Sequence, residues 1–303
     1  MKTRIDPRDL HADDLRYLVS VANTGRLVAA AAALGVDHTT VSRRIKLLER
    51  TLGVRLIERG ADGWELTETG RTVVEYARPI EDALERVTLA LAGSHEDSLA
   101  GTFRITAPDG FGATFVVPAL SRLRLRHPEL SVEVITATRQ LNLHQSGFDL
   151  AIGVGRPVTP RLFTERLTDY TFGLYASEEY LAQHGTPSTL EELKSHAMVF
   201  YVDSLLQIGD LHIDRYLPGV VARFTSTNIF AQLEAAMVGA GIALLPKFMA
   251  LRAPTLRRLE VASIDVRTTF TLAVRRDSAH RPAVRAVRTA LHEEVESRRG
   301  ELL

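Results

Sequence analysis

The sequence predicts an α/β protein led by a small all-α segment, and three observations carry that prediction. Three short helical patterns follow one another between Leu10 and Gly53. From Gly101 onward, strand-like and helix-like runs alternate, the pattern that packs helices against a sheet. The chain has 303 residues, more than one ordinary domain needs and enough to hide roughly three quarters of its unfolded surface.

The first helical pattern repeats Leu15, Leu18, Val19 and Ala22 at i, i+3, i+4, i+7, and Asn23-Thr24-Gly25 ends it. The second, Leu27 to Leu34, is nearly all alanine and stops at Gly35. Such small side chains let a neighbouring helix approach closely. The third starts after Gly35-Val36 with Asp37 as its N-cap, whose carboxylate can accept from free backbone N–H groups. Val41, Ile45, Leu48 and Leu52 form its buried stripe, and Gly53 ends it. Its other face carries Thr39, Thr40, Ser42, Arg43, Lys46 and Arg50. Helix, short Gly-containing turn and polar-basic second helix make a helix-turn-helix, whose second helix lies in the major groove. A small helical cluster with a solvated face fits the same composition, because this geometry also occurs without DNA. Val54 to Ile57 then reads as a strand, Gly60-Ala61-Asp62-Gly63 as a turn and Trp64 to Leu66 as the returning strand, a wing.

The run from Ala30 to Gly70 resembles the N-terminal domain of LysR-type transcriptional regulators. The matching features are the Ala-rich helix, Leu34-Gly35-Val36, Val41-Ser42-Arg43-Arg44-Ile45, Leu48-Glu49, Leu52-Gly53-Val54-Arg55-Leu56, Arg59, and Leu66-Thr67 with Gly70. The resemblance implies sequence-specific binding of double-stranded DNA through Arg26, Asp37, His38, Thr39, Thr40, Ser42, Arg43, Lys46 and Arg59. His38, Thr39, Thr40 and Arg43 would read bases, and Arg59 would hold phosphate. Departures are visible too. Many relatives carry Ser-Gln-Pro or Ser-Gln-Ser where this chain has Asp37-His38-Thr39, and Ser-Phe where Arg26-Leu27 follow Gly25. Asp62 and Glu65 stand in the wing where relatives often have basic residues.

Thr67 can cap a further helix, in which Val73, Ala77, Ile80, Leu84, Val87 and Leu91 repeat at spacings of a heptad seam. A helix packed on its own domain would show a similar pattern. In the family this helix pairs two subunits, so the resemblance implies a homo-oligomer, a dimer or a tetramer. Gly93 to Ser98 is polar and reads as a hinge.

Beyond the hinge, Thr102 to Thr106 is a strand, Pro118 to Arg126 an amphipathic helix, and Ser131 to Thr136 and Leu150 to Val154 are strands. This alternation predicts a mainly parallel sheet, with ligands beyond the carboxyl ends of its strands. His127 to Ala137, Gly147 to Gly155, Ser177 to Val199 and Val238 to Ala250 resemble the effector domain of the same family, which is similar to two-lobed periplasmic binding proteins. The implied organisation is a winged helix-turn-helix over residues 1–66, a linker/dimerisation helix over 67–92, a hinge over 93–100 and an effector-binding domain over 101–303. Lobe 1 would span about 101–165 and 268–303, and lobe 2 about 166–267. By the resemblance, a small-molecule effector sits between the lobes, lined by Thr106, Ala107, Pro108 and Asp109, by Thr136, Ala137 and Thr138, by Tyr201, and by Ser226, Thr227 and Asn228. Hydroxyls and helix-start amides favour a small anion there, although Asp109 disfavours a carboxylate placed beside it. RNA polymerase is a further expected partner.

Composition sets the remaining bounds. Lys+Arg and Asp+Glu both number 37, so no global field announces nucleic acid, but only the face that touches phosphate has to be basic. There is no cysteine, hence no disulfide and no Cys-ligated zinc, and no metal or cofactor is expected. No signal peptide or membrane-spanning apolar run is visible, which makes the expectation a soluble cytoplasmic protein. An enzyme is disfavoured by the absence of a Gly-x-Ser-x-Gly elbow, a phosphate loop and a His-Glu-x-x-His pattern. His144, His184 and His196 lie in polar, surface-like stretches, and Arg285, Arg288, Arg298 and Arg299 read as a solvated helix face. A solute-uptake binding protein would share the two lobes but not the leading helical segment.

Overall fold

Three glycines in the left-handed region cut the N-terminal segment into helices. They are Gly25 after α1 (Ala12–Thr24), Gly35 after α2 (Leu27–Leu34) and Gly53 after α3 (His38–Leu52), with φ of 67°, 65° and 67°. The computed structural model describes residues 6–60, 63–91, 99–136, 148–155, 162–202, 216–261, 266–276 and 278–303. These fall into two units, one of residues up to 91 and one from residue 99 onward.

In the first unit Leu18, Val19, Ala30, Ala31, Val41, Ile45 and Leu48 form one buried cluster, which the alanines of α2 let close tightly. The wing is an antiparallel pair, β1 (Ile57–Gly60) with β2 (Gly63–Leu66). It starts at Ile57 rather than at Val54, because the chain before it is held elsewhere. Leu56 N and Ile57 N donate to Glu49 Oε1 at 2.8 and 3.3 Å, and the Arg55 carbonyl accepts from Thr67 Oγ1 at 2.7 Å. Thr67 also caps α4 (Glu68–Leu91), its hydroxyl accepting from Gly70 N at 2.9 Å. Gly70 lies so near that a Cβ there would stand 2.0 Å from the Leu56 carbonyl oxygen.

The start of α4 packs on α1, and this corrects the expected seam. Ala77 belongs to the domain's own buried cluster and Val73 packs against it, so both are spent inside one chain. Exposed apolar surface on this helix begins with Tyr76 at 74%, Ile80 at 38% and Leu84 at 45%. Val87 and Leu91 fall outside the residues whose side chains are described, and the hinge at 93–98 falls outside the described residues altogether.

The second unit runs β3 (Gly101–Ala107), α5 (Asp109–Phe111), a π-helical turn (Gly112–Val116), α6 (Val117–Arg126), β4 (Leu130–Thr136) and β5 (Leu150–Val154). It continues with β6 (Leu162–Ser177), α7 (Glu178–His184), α8 (Leu190–Leu193), β7 (Met198–Phe200), β8 (Ala222–Thr225), α9 (Ile229–Met237) and β9 (Ile242–Pro246). Last come α10 (Lys247–Ala250), β10 (Leu256–Leu259), β11 (Val266–Arg275), α11 (Pro282–Ser297) and α12 (Arg299–Leu302). Helix therefore begins at Asp109 and not at Pro118. Pro118 lacks an N–H within this continuous helical run, and the π-helical turn just before it carries the chain into α6.

Among the described residues the sheet has nine strands in the order β4-β3-β5-β11-β6-β9-β7-β8, with β10 on β6. It is mixed rather than mainly parallel. β3 pairs in parallel with β4 and β5, and β7 with β8 and β9. β6 and β11 pair antiparallel with each other, and each also pairs antiparallel with its outer neighbour. These two long strands link a β3-centred half to a β7-centred half, and their register shifts at Phe270/Thr271. Over the crossing lies an aromatic cluster: Phe111 is 4.0 Å from Phe270 and 5.0 Å from Phe115, and Tyr170 stacks on Phe270 at 4.0 Å. Phe248 of the other half meets Phe115 edge-on at 5.5 Å, so the halves share one core. No described helix is long and apolar enough to cross a membrane.

Candidate nucleic-acid interface and interlobe site

Asp37 fixes the start of α3. Its Oδ1 accepts from Thr39 N at 2.8 Å and from Thr39 Oγ1 at 2.6 Å, with His38 Nδ1 3.6 Å away. The Thr39 hydroxyl and backbone bonds, aided by His38, hold the Asp37 carboxyl below its ordinary value. Asp37 therefore serves the face by positioning Thr39, whose hydroxyl keeps lone pairs for accepting. His38, Thr39, Ser42, Arg43, Lys46 and Arg50 line one concave surface together with Leu27, Leu47 and Arg44, and no carboxylate is among its lining. Thr40 is half-buried and outside that lining. Arg26 is exposed at the start of α2, and Arg59 is exposed in the wing opposite Trp64.

Two charges near this face have structural work that sequence reasoning missed. Arg44 Nη1 pairs with Asp14 at 3.1 Å, which ties α3 to α1, and Asp14 is 3% exposed. Glu49 anchors the wing through its bonds to Leu56 and Ile57. In the wing Glu58 stands directly across from Glu65, a like-charge pair on the face opposite Arg59 and Trp64. Asp62 lies outside the described residues.

In the second unit, Thr106 and Ala107 are buried at the end of β3, and Pro108 turns the chain into α5. Asp109 reaches across: its Oδ2 accepts from Ile229 N at the start of α9 at 3.2 Å, and its Oδ1 from Gly110 N at 3.1 Å. Burial pushes the Asp109 carboxyl above its ordinary value, against the pull of the Ile229, Gly110 and Asp109 amides. Tyr201 is buried and faces that charge; burial first, then Asp109, pushes its hydroxyl well above its ordinary value. Ser226 N donates to the Phe200 carbonyl at 3.0 Å, and Ser226 Oγ accepts from Asn228 N at 3.1 Å. Pro108–Asp109, Tyr201 and Ser226 thus converge on one place. Thr136 is exposed at the end of β4, with its methyl close to Gly112, and Thr227 is exposed. Ala137 and Thr138 fall outside the described residues.

Asn228, expected in the lining, and Gly110, which the sequence reading passed over, complete this place. Asn228 caps α9, its Oδ1 accepting from Phe230 N at 2.8 Å and Ala231 N at 3.3 Å, and an Asn before an apolar run is a visible sign of such a cap. Gly110 permits the close approach: a Cβ there would stand 2.9 Å from Ile229 Cγ2 and from Met249 Sδ. Of the C-terminal arginines, Arg288 binds Glu165 at 2.8 Å and Arg298 binds the Thr114 carbonyl at 2.6 Å. Those two anchor the last helices to the body rather than forming a solvated face.

Comparison with known proteins gives the same division. A family model described as "Bacterial regulatory helix-turn-helix protein, lysR family" matches residues 12–71, and "LysR substrate binding domain" matches residues 96–296. The HTH-type transcriptional activator TtdR of Escherichia coli strain K12 is 34% identical over 185 residues, which are 61% of this chain and 59% of TtdR. The match thus spans well under two thirds of that relative. The structure of CrgA, a LysR-type transcriptional regulator from Neisseria meningitidis, is 25% identical with a TM-score of 0.57, covering 95% of this chain and 99% of CrgA. ArgP from Mycobacterium tuberculosis, 18% identical, shares the fold with a TM-score of 0.71, covering 94% of this chain and 97% of ArgP.

Proposed function

The chain belongs to the LysR family of bacterial regulatory proteins, and from that premise we propose that it is a transcriptional regulator, not an enzyme, that reads a DNA operator and answers to a small molecule held between its two lobes. One observation carries the DNA half: the concave face of α3 gathers His38, Arg43, Lys46 and Arg50 with the hydroxyls of Thr39 and Ser42. A helix of this width enters the major groove, where bidentate arginine contacts distinguish guanine. Arg26 and Arg59 would add phosphate contacts, which makes affinity fall with salt. Pro108–Asp109, Tyr201 and Ser226 support the effector site by their convergence. The partners are double-stranded DNA, the effector, a second copy of the chain and, during activation, RNA polymerase. DNA as the target places the work in the cytoplasm.

The test is a salt titration of binding to labelled DNA from upstream of the protein's own gene, against scrambled competitor. Binding that resists competitor and weakens steeply with salt is expected. Equal affinity for both DNAs across the protein's target regions would sink the reading.

A further inference from the structure

The first turn of α9 leaves no amide for a ligand to claim. Ile229 N donates to Asp109, Phe230 N and Ala231 N donate to Asn228 Oδ1, and Gln232 N donates to the Asn228 carbonyl at 3.2 Å. Across the site Gly110 N donates to Asp109 Oδ1. A chain carboxylate therefore stands where two helix starts would draw an anion. The amides at this place are thus all spent on the chain itself. Gln232 is fully buried in that same first turn; its Nε2 donates to the Ser226 carbonyl at 2.9 Å, while its Oε1 has no partner. Buried acceptors without a donor are costly. Among the described residues no Lys or Arg forms an ion pair with Asp109, although it is only 9% exposed.

We propose that Asp109 sets the ligand class of this site: it admits an amine, amidinium or guanidinium effector, whose N–H groups the Asp109 carboxylate receives, and it rejects carboxylates. This rests on the reading that the effector binds between the lobes. A cation beside a buried carboxylate restores what burial removed, whereas a second anion adds repulsion in a poorly solvated place. Asp109 also holds the Ile229 amide of the opposite lobe, so a ligand that draws on this carboxylate acts directly on the contact between lobes.

The experiment uses the full chain and matched probes at millimolar concentration: butylamine, putrescine and agmatine against butyrate and succinate. Thermal unfolding reads binding, and hydrogen exchange of the Ile229–Ala231 amides reads its place. The expected result is that amines raise the melting temperature and slow that exchange while carboxylates do neither. Asp109→Asn, which keeps an oxygen for the Ile229 amide, weakens amine binding about tenfold or more. Asp109→Ser shifts the response toward butyrate. Carboxylates that stabilise the wild type, amines without effect, or an undiminished amine response in D109N would each overturn the assignment. An amine that stabilises the protein and leaves the Ile229–Ala231 exchange untouched would instead overturn the interlobe reading itself.

Discussion

Arg43 and Arg44 are neighbours in sequence with different work. Arg43 is exposed in the concave face of α3, while Arg44 reaches back to Asp14, which is almost wholly buried. Replacing Arg43 by Ala should leave stability within error and cost about 1–3 kcal/mol of discrimination between operator and scrambled DNA. Replacing Arg44 by Met strands the Asp14 carboxylate and should cost about 1.5–3 kcal/mol of stability, read by chemical denaturation. A stable Arg44 variant would show that Asp14 is satisfied without it. Caps such as Asp37 and Thr67 were legible because their partners lie within three residues. Arg44–Asp14 and Asp109–Ile229 were not, because their partners are 30 and 120 residues away. Asp109 also carries a pH signature. Its folded value is raised above 3.8, so the folded chain holds this proton more tightly than the unfolded chain does. The resulting stabilisation is complete below the ordinary carboxylate range and is lost as pH rises through the raised value. Urea titrations should therefore show the wild type losing ground to D109N as pH climbs from 3.8, then running parallel above the raised value. A gap constant across that window would contradict the burial argument.

At the scale of elements, glycine stops marked the ends of α1 to α3 and Asp37 the start of α3, because those caps are set by neighbours in sequence, whereas no side-chain cap marks Ala12 as the start of α1. The wing was displaced by three residues because Glu49 and Thr67, both outside it, take the backbone groups of Arg55 to Ile57. The contact of Leu56 with Gly70 is the tightest consequence. Ala at Gly53 would meet open space and only backbone strain, costing about 1–2 kcal/mol. Ala at Gly70 would collide with a carbonyl oxygen and must push α4 away from the wing. The expected loss is about 3 kcal/mol, at the upper end for overpacking, read as a lower melting temperature of the N-terminal unit. A G70A chain as stable as wild type would mean that α4 shifts at little cost. The wing itself carries Glu58 across from Glu65. Glu65→Lys should relieve that pair and steepen the salt dependence of DNA binding by about one phosphate contact if the wing tip reaches the backbone. An unchanged slope would place the wing off the DNA.

For the whole molecule, hydrophobic patterning showed that strands and helices alternate but not which strands are neighbours. β6 and β11 join the two halves of the sheet antiparallel, so its centre is set by pairing between segments about a hundred residues apart. Oligomerisation poses the same problem of surfaces that meet only after folding. With Val73 and Ala77 occupied inside the first unit, the apolar surface left for a second copy on α4 begins at Tyr76 and Ile80. A dimer formed there would present two α3 helices to half-sites about 34–36 Å apart, and the tether makes the second contact effectively intramolecular. Ile80→Glu places a charge in that face, outside the buried cluster of the first unit. Sedimentation should then show a smaller assembly, and affinity for a two-half-site operator should fall by about 10² or more. Affinity for a single half-site should stay the same, because α3 is unaltered. If assembly size and operator affinity both survive the substitution, the copies meet through the second unit, and the spacing of the two heads must be set there.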